Sequence, residues 1–181
     1  MKVLHLLAGG KIGGIEILFK DIMLKANFDN RICCLFEEGE IYRELKAKNQ
    51  KIFSMRDKNK NFNKIVDALT EYCIAQKIDI ITVHHGGLAC NLIYIMLKKK
   101  LPKIKYVRYL HACFDEYSFG NDKGILHRIL VKKVMKKAFE CSDLLIFISK
   151  AVKKSFEIKF DKNNHCLGVF DGKDCIKEEK T

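Results

Sequence analysis

Three histidines in this sequence stand where predicted β-strands end, and an imidazole at such a position can bind a ligand or carry a proton. His111 follows an apolar segment at 104–110 and is followed by Asp115. A histidine with an acid nearby can hydrogen-bond a hydroxyl group or carry a proton near neutral pH. The pair His84 and His85 ends the preceding predicted strand, and only one of the two is expected to face a cleft, because side chains alternate along a strand. The alternative for His111 is a strand cap that bonds the backbone.

A loop with four glycines, at positions 9, 10, 13 and 14, follows the first predicted strand. Glycine lets the backbone approach a ligand closely, and a helix beginning near Gly14 would point free N–H groups and its positive dipole end at the loop. This arrangement suits a phosphate group, and the alternative is a tight turn that packs the helix on the sheet. The G-x-G-x-x-G spacing of dinucleotide sites is absent, although acids stand at Glu37 and Glu38. Dinucleotide binding is therefore the less favoured alternative, and we expect no cofactor.

The eight cysteines do not form a disulfide or metal framework. There is no C-x-x-C pair, and most of the cysteines fall inside apolar patterns, where a reduced thiol behaves as a small hydrophobic group. No closed set of ligands is visible either, so we expect no metal site. Reduced thiols are typical of a cytoplasmic protein.

The elements that must position these residues alternate between short apolar runs and longer amphipathic segments. Strands are predicted at 2–8, 31–36, 51–54, 79–84, 104–110, 143–148 and 165–169, and helices at 14–27, 40–49, 62–77, 87–99, 123–141 and 150–158. The alternation predicts one doubly wound, Rossmann-like α/β domain over 1–170, with a mostly parallel sheet of about seven strands. Ligands of such sheets bind beyond the carboxyl ends of the strands. Ser149 and Lys150, after the sixth predicted strand, lie at the same rim as the glycines and histidines.

The chain is basic, with 34 Lys and Arg against 22 Asp and Glu and a net charge of +12. The basic residues are spread along the chain without a recognition helix or an aromatic RNA-binding motif, so nucleic acid is not an expected partner. Segment 123–141 predicts a basic helix with Ile125, Leu126 and Ile129 among its cations. Such a helix either packs on the sheet with a solvated face or rests on an anionic membrane. No apolar run approaches the roughly 20 residues of a membrane span, which favours a cytoplasmic protein, peripheral at the inner membrane face in the second interpretation.

Four segments, in this order, resemble the family-4 glycosyltransferases of GT-B type. The opening KVLHLLAGGKIGGIEILFKDI resembles the family's strand, Gly-Gly loop and first helix, with matches at Gly13, Gly14 and Glu16 and with Ile17 where many members have a basic residue. The stretch VRYLHACFDE places His111 at the family's functional histidine.

The other two segments lie towards the end of the chain. CSDLLIFISKAVKKSF resembles the family's signature of an aspartate, an apolar strand, a serine and a helix. GVFDGKD resembles the interdomain segment, with departures at Phe170, Asp171 and Lys173.

The resemblance implies the N-terminal, acceptor-side half of a retaining transferase, which moves a sugar from a nucleoside diphosphate onto a glycan or a lipid-linked acceptor. In the family the strand-end histidine contacts the transferred sugar, which implies this role for His111. Candidates for donor or acceptor binding are Gly13, Gly14, Glu16, His84, His85, Asp115, Ser149 and Lys150.

The resemblance also implies that residues 171–181 begin an interdomain linker and that the C-terminal, donor-binding domain is absent, so the chain is expected to be inactive alone. One alternative is a non-catalytic subunit that recruits the acceptor for a separate donor-binding chain. The other is half of a nucleotide-sugar epimerase.

Overall fold

A computed structural model describes residues 1–56, 61–114, 124–157, 166–170 and 175–177. Within these ranges the strands are β1 (Lys2–Leu7), β2 (Asp29–Cys34), β3 (Ile52–Ser54), β4 (Ile80–Val83), β5 (Lys105–Leu110), β6 (Leu144–Phe147), β7 (Cys166–Phe170) and β8 (Cys175–Lys177). The helices are α1 (Gly14–Lys25), α2 (Glu40–Ala47), α3 (Phe62–Gln76), α4 (Leu88–Lys100), α5 (Ile125–Glu140) and α6 (Lys150–Glu157). Every predicted strand and helix is therefore present, with ends that differ by no more than two residues.

All eight strands form one sheet in the order β3-β2-β1-β4-β5-β6-β7-β8. Neighbouring strands from β3 to β7 are parallel, and β8 alone among the described strands runs antiparallel, beside β7. The prediction of a doubly wound, mostly parallel sheet is confirmed. The pattern did not predict β8, which lies inside the range 171–181 that we assigned to a linker.

The strand order reverses between β1 and β4, which are adjacent in the sheet but distant in the chain. The chain first moves outward from β1 to β3 and then returns past β1 to build the other half of the sheet. At such a switch point the neighbouring loops diverge to opposite faces, so a crevice opens beyond the carboxyl ends of the two strands. The fold thus singles out the loops after β1 and β4 as the place for a ligand.

Helices cover the two faces of the sheet around separate apolar clusters. Leu7 packs with Phe19 of α1, whereas its neighbour Leu6 packs in a cluster that includes side chains of α3 and α4. Cys33 and Cys34 divide in the same way, and both are fully buried. Alternation along the strands therefore sorts side chains between the faces, and these cysteines serve as small core residues, as the sequence predicted.

A row of buried polar side chains interrupts the apolar layer beneath α1. Nδ1 of His5 lies 2.7 Å from Oγ1 of Thr82, and Nε2 of His5 lies 3.0 Å from Oδ1 of Asn30. Oγ1 of Thr82 lies 2.8 Å from Nε2 of His84, and Phe19 covers both imidazoles, with ring centroids 4.7 Å from His5 and 4.0 Å from His84. We call Asn30, His5, Thr82 and His84 the buried polar row.

Burial lowers the pKa of His5 from 6.5 to about 4, because the charged imidazole loses its solvation, and the hydrogen bond to Asn30 offsets only part of this effect. The pKa of His84 is lowered well below its usual value for the same main reason. Both imidazoles are therefore neutral at pH 7. None of the described helices is long and apolar enough to cross a membrane.

The first prediction concerns acid stability. The folded pKa of His5 is below its unfolded value of 6.5, so the stabilisation is complete above pH 6.5 and is lost as the pH falls towards about 4. From pH 7 to pH 4, His5 should lower the free energy of unfolding by about 3 kcal/mol, at about 1.4 kcal/mol for each unit of pKa shift. Urea unfolding at both pH values measures this loss, and His5→Gln, which cannot titrate, should lose about 3 kcal/mol less than the wild type.

His127→Gln is the matched control, because His127 lies on α5, outside this layer. It should follow the wild-type pH dependence. A His5→Gln protein that loses as much stability as the wild type would contradict the prediction.

Candidate functional site

The loops at the switch point bring several of the predicted site residues into one cluster. Glu16, in the first turn of α1, contacts His85 after β4, and His84 contacts His111 after β5. Gly13 and Gly14 begin the helix that carries Glu16. We call the set Gly13, Gly14, Glu16, His84, His85 and His111 the rim cluster. Residues almost a hundred positions apart in the sequence thus share one end of the sheet.

The four glycines of the first loop divide into two pairs with different surroundings. Gly9 and Gly10 pack against the loop after β2: a Cβ at Gly9 would lie 2.6 Å from Cγ of Glu37, and a Cβ at Gly10 would lie 2.7 Å from Cβ of Tyr42. The N–H of Ile41 also donates to the carbonyl oxygen of Gly10 at 3.0 Å. This first pair is required for close packing between two loops.

Gly13 and Gly14 lie at the start of α1, and only Gly14 faces open surroundings. Gly13 is the N-cap residue, and within the described ranges no side chain caps the first turn by a hydrogen bond. A Cβ at Gly14 would meet no atom within 4 Å, whereas a Cβ at Gly13 would lie 2.5 Å from Oε2 of Glu16. Free N–H groups at a helix start attract an anionic or electron-rich group. A ligand can therefore approach this turn at Gly14.

Glu16 and His85 form a partly buried pair beside that turn. Oε1 of Glu16 lies 3.2 Å from Nε2 of His85, with side-chain exposures of 12% and 24%. The contact falls outside hydrogen-bond geometry, so Nε2 of His85 is a buried nitrogen without a hydrogen-bond partner among the described residues. Burial lowers the pKa of His85, while the carboxylate of Glu16 opposes that effect. The pair offers an acceptor carboxylate and an unsatisfied imidazole nitrogen.

His84 and His111 form the second half of the cluster. His84 is buried and His85 is only partly so, as expected from alternation along the strand. Nδ1 of His84 lies 3.3 Å from Nε2 of His111, and the ring of Tyr109 is nearly parallel to His111, with centroids 6.1 Å apart. Burial, aided by His85, lowers the pKa of His111 from 6.5 to about 4. His111 is neutral at pH 7, which favours the hydrogen-bonding role over that of a proton carrier.

The remaining predicted residues lie further along the rim or outside the described ranges. Oγ of Ser149 accepts the N–H of Val152 at 3.2 Å, so the serine caps α6, and Lys150 is exposed at the start of that helix. Both follow β6, which neighbours β5, but no hydrogen bond joins them to the rim cluster within the part of the chain that the structure describes. Asp115 lies outside the described residues.

Sequence reasoning missed the residues that support the rim cluster from beneath. Asn30, His5 and Thr82 connect His84 to the interior of the sheet, and Phe19 covers the imidazoles. A signal was present in the sequence, because a polar residue inside an apolar strand run is more informative than an apolar one. His5 within KVLHLL and Thr82 within IITV are such residues.

The cluster suits a ligand rich in hydroxyl groups beside an anionic group. Its carboxylate and neutral imidazoles can exchange hydrogen bonds with hydroxyls, and the start of α1 favours an anion. No group of three His, Cys, Asp or Glu side chains among the described residues is arranged to hold a metal ion.

Solved structures with a similar fold are carbohydrate-related proteins. Anabaena HepE, in complex with UDP and glucose, has a TM-score of 0.69 at 16% identity, covering 93% of this chain and 44% of HepE. The lipopolysaccharide outer core galactosyltransferase WaaB has a TM-score of 0.56 at 14% identity, covering 87% of this chain and 42% of WaaB. The UDP-GlcNAc 2-epimerase of Neisseria meningitidis, bound to UDP-GlcNAc, has a TM-score of 0.53 at 16% identity, covering 88% of this chain and 43% of the epimerase. The chain thus spans less than half the length of each of these proteins.

The sequence itself carries a family signature. No curated protein matches the chain. The family model for Glycosyltransferase Family 4, however, matches residues 13–163, which include all the residues of the rim cluster. The doubly wound sheet agrees with this match, since it is the Rossmann-like architecture of GT-B proteins. On this evidence, the chain belongs to glycosyltransferase family 4.

Proposed function

We propose that this chain is the N-terminal, acceptor-side half of a retaining glycosyltransferase, which moves a sugar from a nucleoside diphosphate onto a glycan or a lipid-linked acceptor. The observation that carries the proposal is the rim cluster, which gathers a free helix start, a carboxylate and neutral imidazoles at the switch point of a family-4 fold. UDP with glucose in HepE, and UDP-GlcNAc in the epimerase, support a nucleotide sugar as the ligand.

Each part of the cluster has a role in this proposal. The free N–H groups at Gly14 approach the diphosphate of the donor and help to stabilise it as it departs. His111, as a neutral imidazole, hydrogen-bonds a hydroxyl group of the transferred sugar. Glu16 and His85 lie on the acceptor side and orient the attacking hydroxyl, for which a carboxylate is a suitable hydrogen-bond acceptor.

A second half completes the enzyme. HepE and WaaB are each more than twice as long as the part that this chain covers. We propose that a donor-binding half, fused or on a separate chain, supplies the contacts to the nucleoside and further cations for the diphosphate. The chain alone then has little or no transferase activity.

An epimerase half is the second candidate, because the epimerase of Neisseria meningitidis has nearly the same TM-score as WaaB, 0.53 against 0.56. The acceptor distinguishes the two reactions. An epimerase converts its nucleotide sugar without an acceptor, whereas a transferase requires one to form its product.

We also propose that helix α5 rests on an anionic membrane surface, where it brings the rim towards a lipid-linked acceptor. Ile125 is 73% exposed and Leu126 is 79% exposed, and Ile129 and Leu130 are exposed behind them. Four lysines, at positions 132, 133, 136 and 137, follow on the same helix. Exposed apolar side chains beside cations suit insertion at a negatively charged lipid surface.

The second prediction concerns the helix start. In Gly14→Ala the new methyl group enters open space, so the fold should be retained while the approach of a diphosphate is blocked. We expect the affinity for UDP-glucose, measured on this chain from amide shifts in NMR spectra, to fall by about tenfold, or about 1.4 kcal/mol. The melting temperature should not decrease.

Gly124→Ala is the matched control, because Gly124 caps α5 and a Cβ there also meets no atom within 4 Å. This variant should bind UDP-glucose as the wild type does. Equal binding by Gly14→Ala would remove the helix start from the proposed site.

The third prediction concerns His111 in an enzyme that contains both halves. His111→Ala removes a preorganised hydrogen bond to the transferred sugar, so turnover should fall by about 100-fold. Steady-state kinetics with a saturating acceptor measure this fall. His127→Ala, on helix α5 and outside the rim cluster, should retain wild-type turnover, and unchanged turnover in His111→Ala would refute the role of the imidazole.

The fourth prediction concerns the membrane. The chain should sediment with phosphatidylglycerol vesicles at 0.1 M salt and be released at 1 M, because the Debye length falls from about 10 Å to about 3 Å. The double variant Ile125→Ser and Leu126→Ser should bind more weakly. Ile74→Ser is the control, since Ile74 is 65% exposed on α3, outside the basic helix.

Two results would contradict the membrane proposal. One is sedimentation that does not change with salt. The other is equally strong binding to vesicles of neutral phosphatidylcholine, because the cations of α5 would then have no part in the interaction.

A further inference from the structure

The buried polar row runs without a break into the rim cluster. It begins at Asn30 on β2, crosses β1 at His5 and β4 at Thr82, and reaches His111 through His84. The four atom-to-atom distances along it are 3.0, 2.7, 2.8 and 3.3 Å. Every junction is therefore within hydrogen-bond distance, from the middle of the sheet to the ligand crevice.

Burial of four polar side chains in this layer costs free energy unless they form hydrogen bonds with one another. Their exposures are 6% for Asn30, 4% for His5, 3% for Thr82 and 2% for His84. Phe19 closes the layer above both imidazoles, and the side chains are within hydrogen-bond distance of one another. The protons in this row must therefore be arranged so that each junction has one donor and one acceptor.

The hydrogen-bond donor at each junction follows from Asn30, the first residue of the row. Oδ1 of Asn30 can only accept, so Nε2–H of His5 donates to it, and Nδ1 of the neutral His5 then accepts the hydroxyl proton of Thr82. That hydroxyl has no second proton, so Nε2–H of His84 donates to Oγ1 of Thr82. Nδ1 of His84 is left as an acceptor.

The direction of the last hydrogen bond, between His84 and His111, is then fixed. Nε2–H of His111 donates to Nδ1 of His84, and Nδ1 of His111 keeps its lone pair. Among the described residues, Nδ1 of His111 has no hydrogen-bond partner of its own. A ligand is thus the group that can use it.

The reverse arrangement of protons is less favourable. Turning the amide of Asn30 would make its nitrogen the donor to His5 and would invert every junction, so that all three histidines became Nδ1–H tautomers. In the first arrangement all three are Nε2–H tautomers, which a neutral imidazole intrinsically prefers. In the first arrangement the amide nitrogen of Asn30 has no hydrogen-bond partner. In the second arrangement its amide oxygen would have none. Each arrangement thus leaves one amide atom of Asn30 without a partner, and this atom does not favour the reversed arrangement.

We propose that Asn30, His5, Thr82 and His84 are positioning residues that hold His111 as its Nε2–H tautomer, so that its Nδ1 atom recognises a ligand hydroxyl as a hydrogen-bond acceptor. The assignment of that hydroxyl to the transferred sugar rests on the proposed function, whereas the tautomer does not. An acceptor at this position selects an O–H or N–H group and disfavours a phosphate oxygen, which has no proton to donate.

The tautomers can be read directly by NMR on this chain with ¹⁵N-labelled histidine. A protonated ring nitrogen and an unprotonated one have well-separated ¹⁵N shifts, and long-range ¹H–¹⁵N spectra distinguish Nδ1 from Nε2. At pH 7 we expect His5, His84 and His111 to be Nε2–H tautomers, with signals assigned from single His→Gln variants. A His111 ring protonated at Nδ1 would overturn the proposal.

Variants of Thr82 test whether the row sets this state. Thr82→Val removes the hydroxyl that fixes the direction, so an Nδ1–H population of His111, absent from the wild type, should become detectable. Thr82→Ser keeps the hydroxyl and should keep the wild-type tautomer. Thr70→Val is the matched control, because its hydroxyl donates to the carbonyl of Val66 within α3, and it should change nothing.

An unchanged His111 spectrum in Thr82→Val would show that the row does not set the tautomer and would overturn the proposal. If Thr82→Val does not fold, the spectra of the wild type and Thr82→Ser still decide the matter, since an Nδ1–H signal in either contradicts it. In an enzyme with both halves, Thr82→Val should raise the KM for the nucleotide sugar or lower kcat, by about tenfold, and Thr82→Ser should restore the wild-type value.

The two proposals can fail separately. Unchanged turnover in His111→Ala, together with an Nε2–H signal, would refute the sugar-binding role and leave the tautomer assignment intact. An Nδ1–H signal from His111, together with lost turnover in His111→Ala, would refute the tautomer proposal and leave the transferase proposal intact.

Discussion

The cost of burying polar groups without partners governs the part of this structure that faces the ligand. Asn30, His5, Thr82 and His84 are buried between the sheet and α1, where an unpartnered polar group is costly. Their mutual hydrogen bonds make that burial possible, and they connect three strands to one another. The same burial keeps the imidazoles neutral, because a charge in this layer would lose its solvation. Stability and the chemical state of the site therefore have one origin.

The crevice has two chemically distinct sides that meet at the switch point between β1 and β4. On one side, the uncapped start of α1 offers backbone N–H groups and a partial positive charge. On the other, the imidazoles of His111 and His85 offer hydrogen bonds, and the carboxylate of Glu16, in the first turn of α1, contacts His85. A nucleotide sugar has the same division, with an anionic diphosphate joined to a neutral ring of hydroxyl groups. The match between these two divisions is the physical reason for the proposed ligand.

The proposed function is divided between this chain and a second half. The chain covers less than half of HepE and of WaaB, and the proposed enzyme therefore includes a second, donor-binding half. In the proposed enzyme this half positions the sugar and the acceptor, and α5 brings both to a lipid surface. In this proposal the positioning depends on the interior of the sheet, whereas the proposed membrane contact depends on exposed side chains of one helix. The two properties can therefore change independently.

The sequence by itself determined the order of strands and helices and the rim that they share. Apolar periodicity is a local property, so it predicted the helices and the seven parallel strands of the described ranges, and it placed the glycine loop, His84, His85 and His111 at strand ends. It could not predict β8, a short strand that exists through its antiparallel pairing with β7.

Nor could periodicity separate Gly9 and Gly10, which pack between loops, from Gly14, which is open to a ligand. Tertiary structure alone decided that His5 would meet Asn30 and Thr82, 25 and 77 positions away, and that burial would lower the pKa of His111 to about 4. Local pattern specifies which face a side chain takes, but hydrogen-bond partners and solvation depend on which strands become neighbours and on which helix covers them.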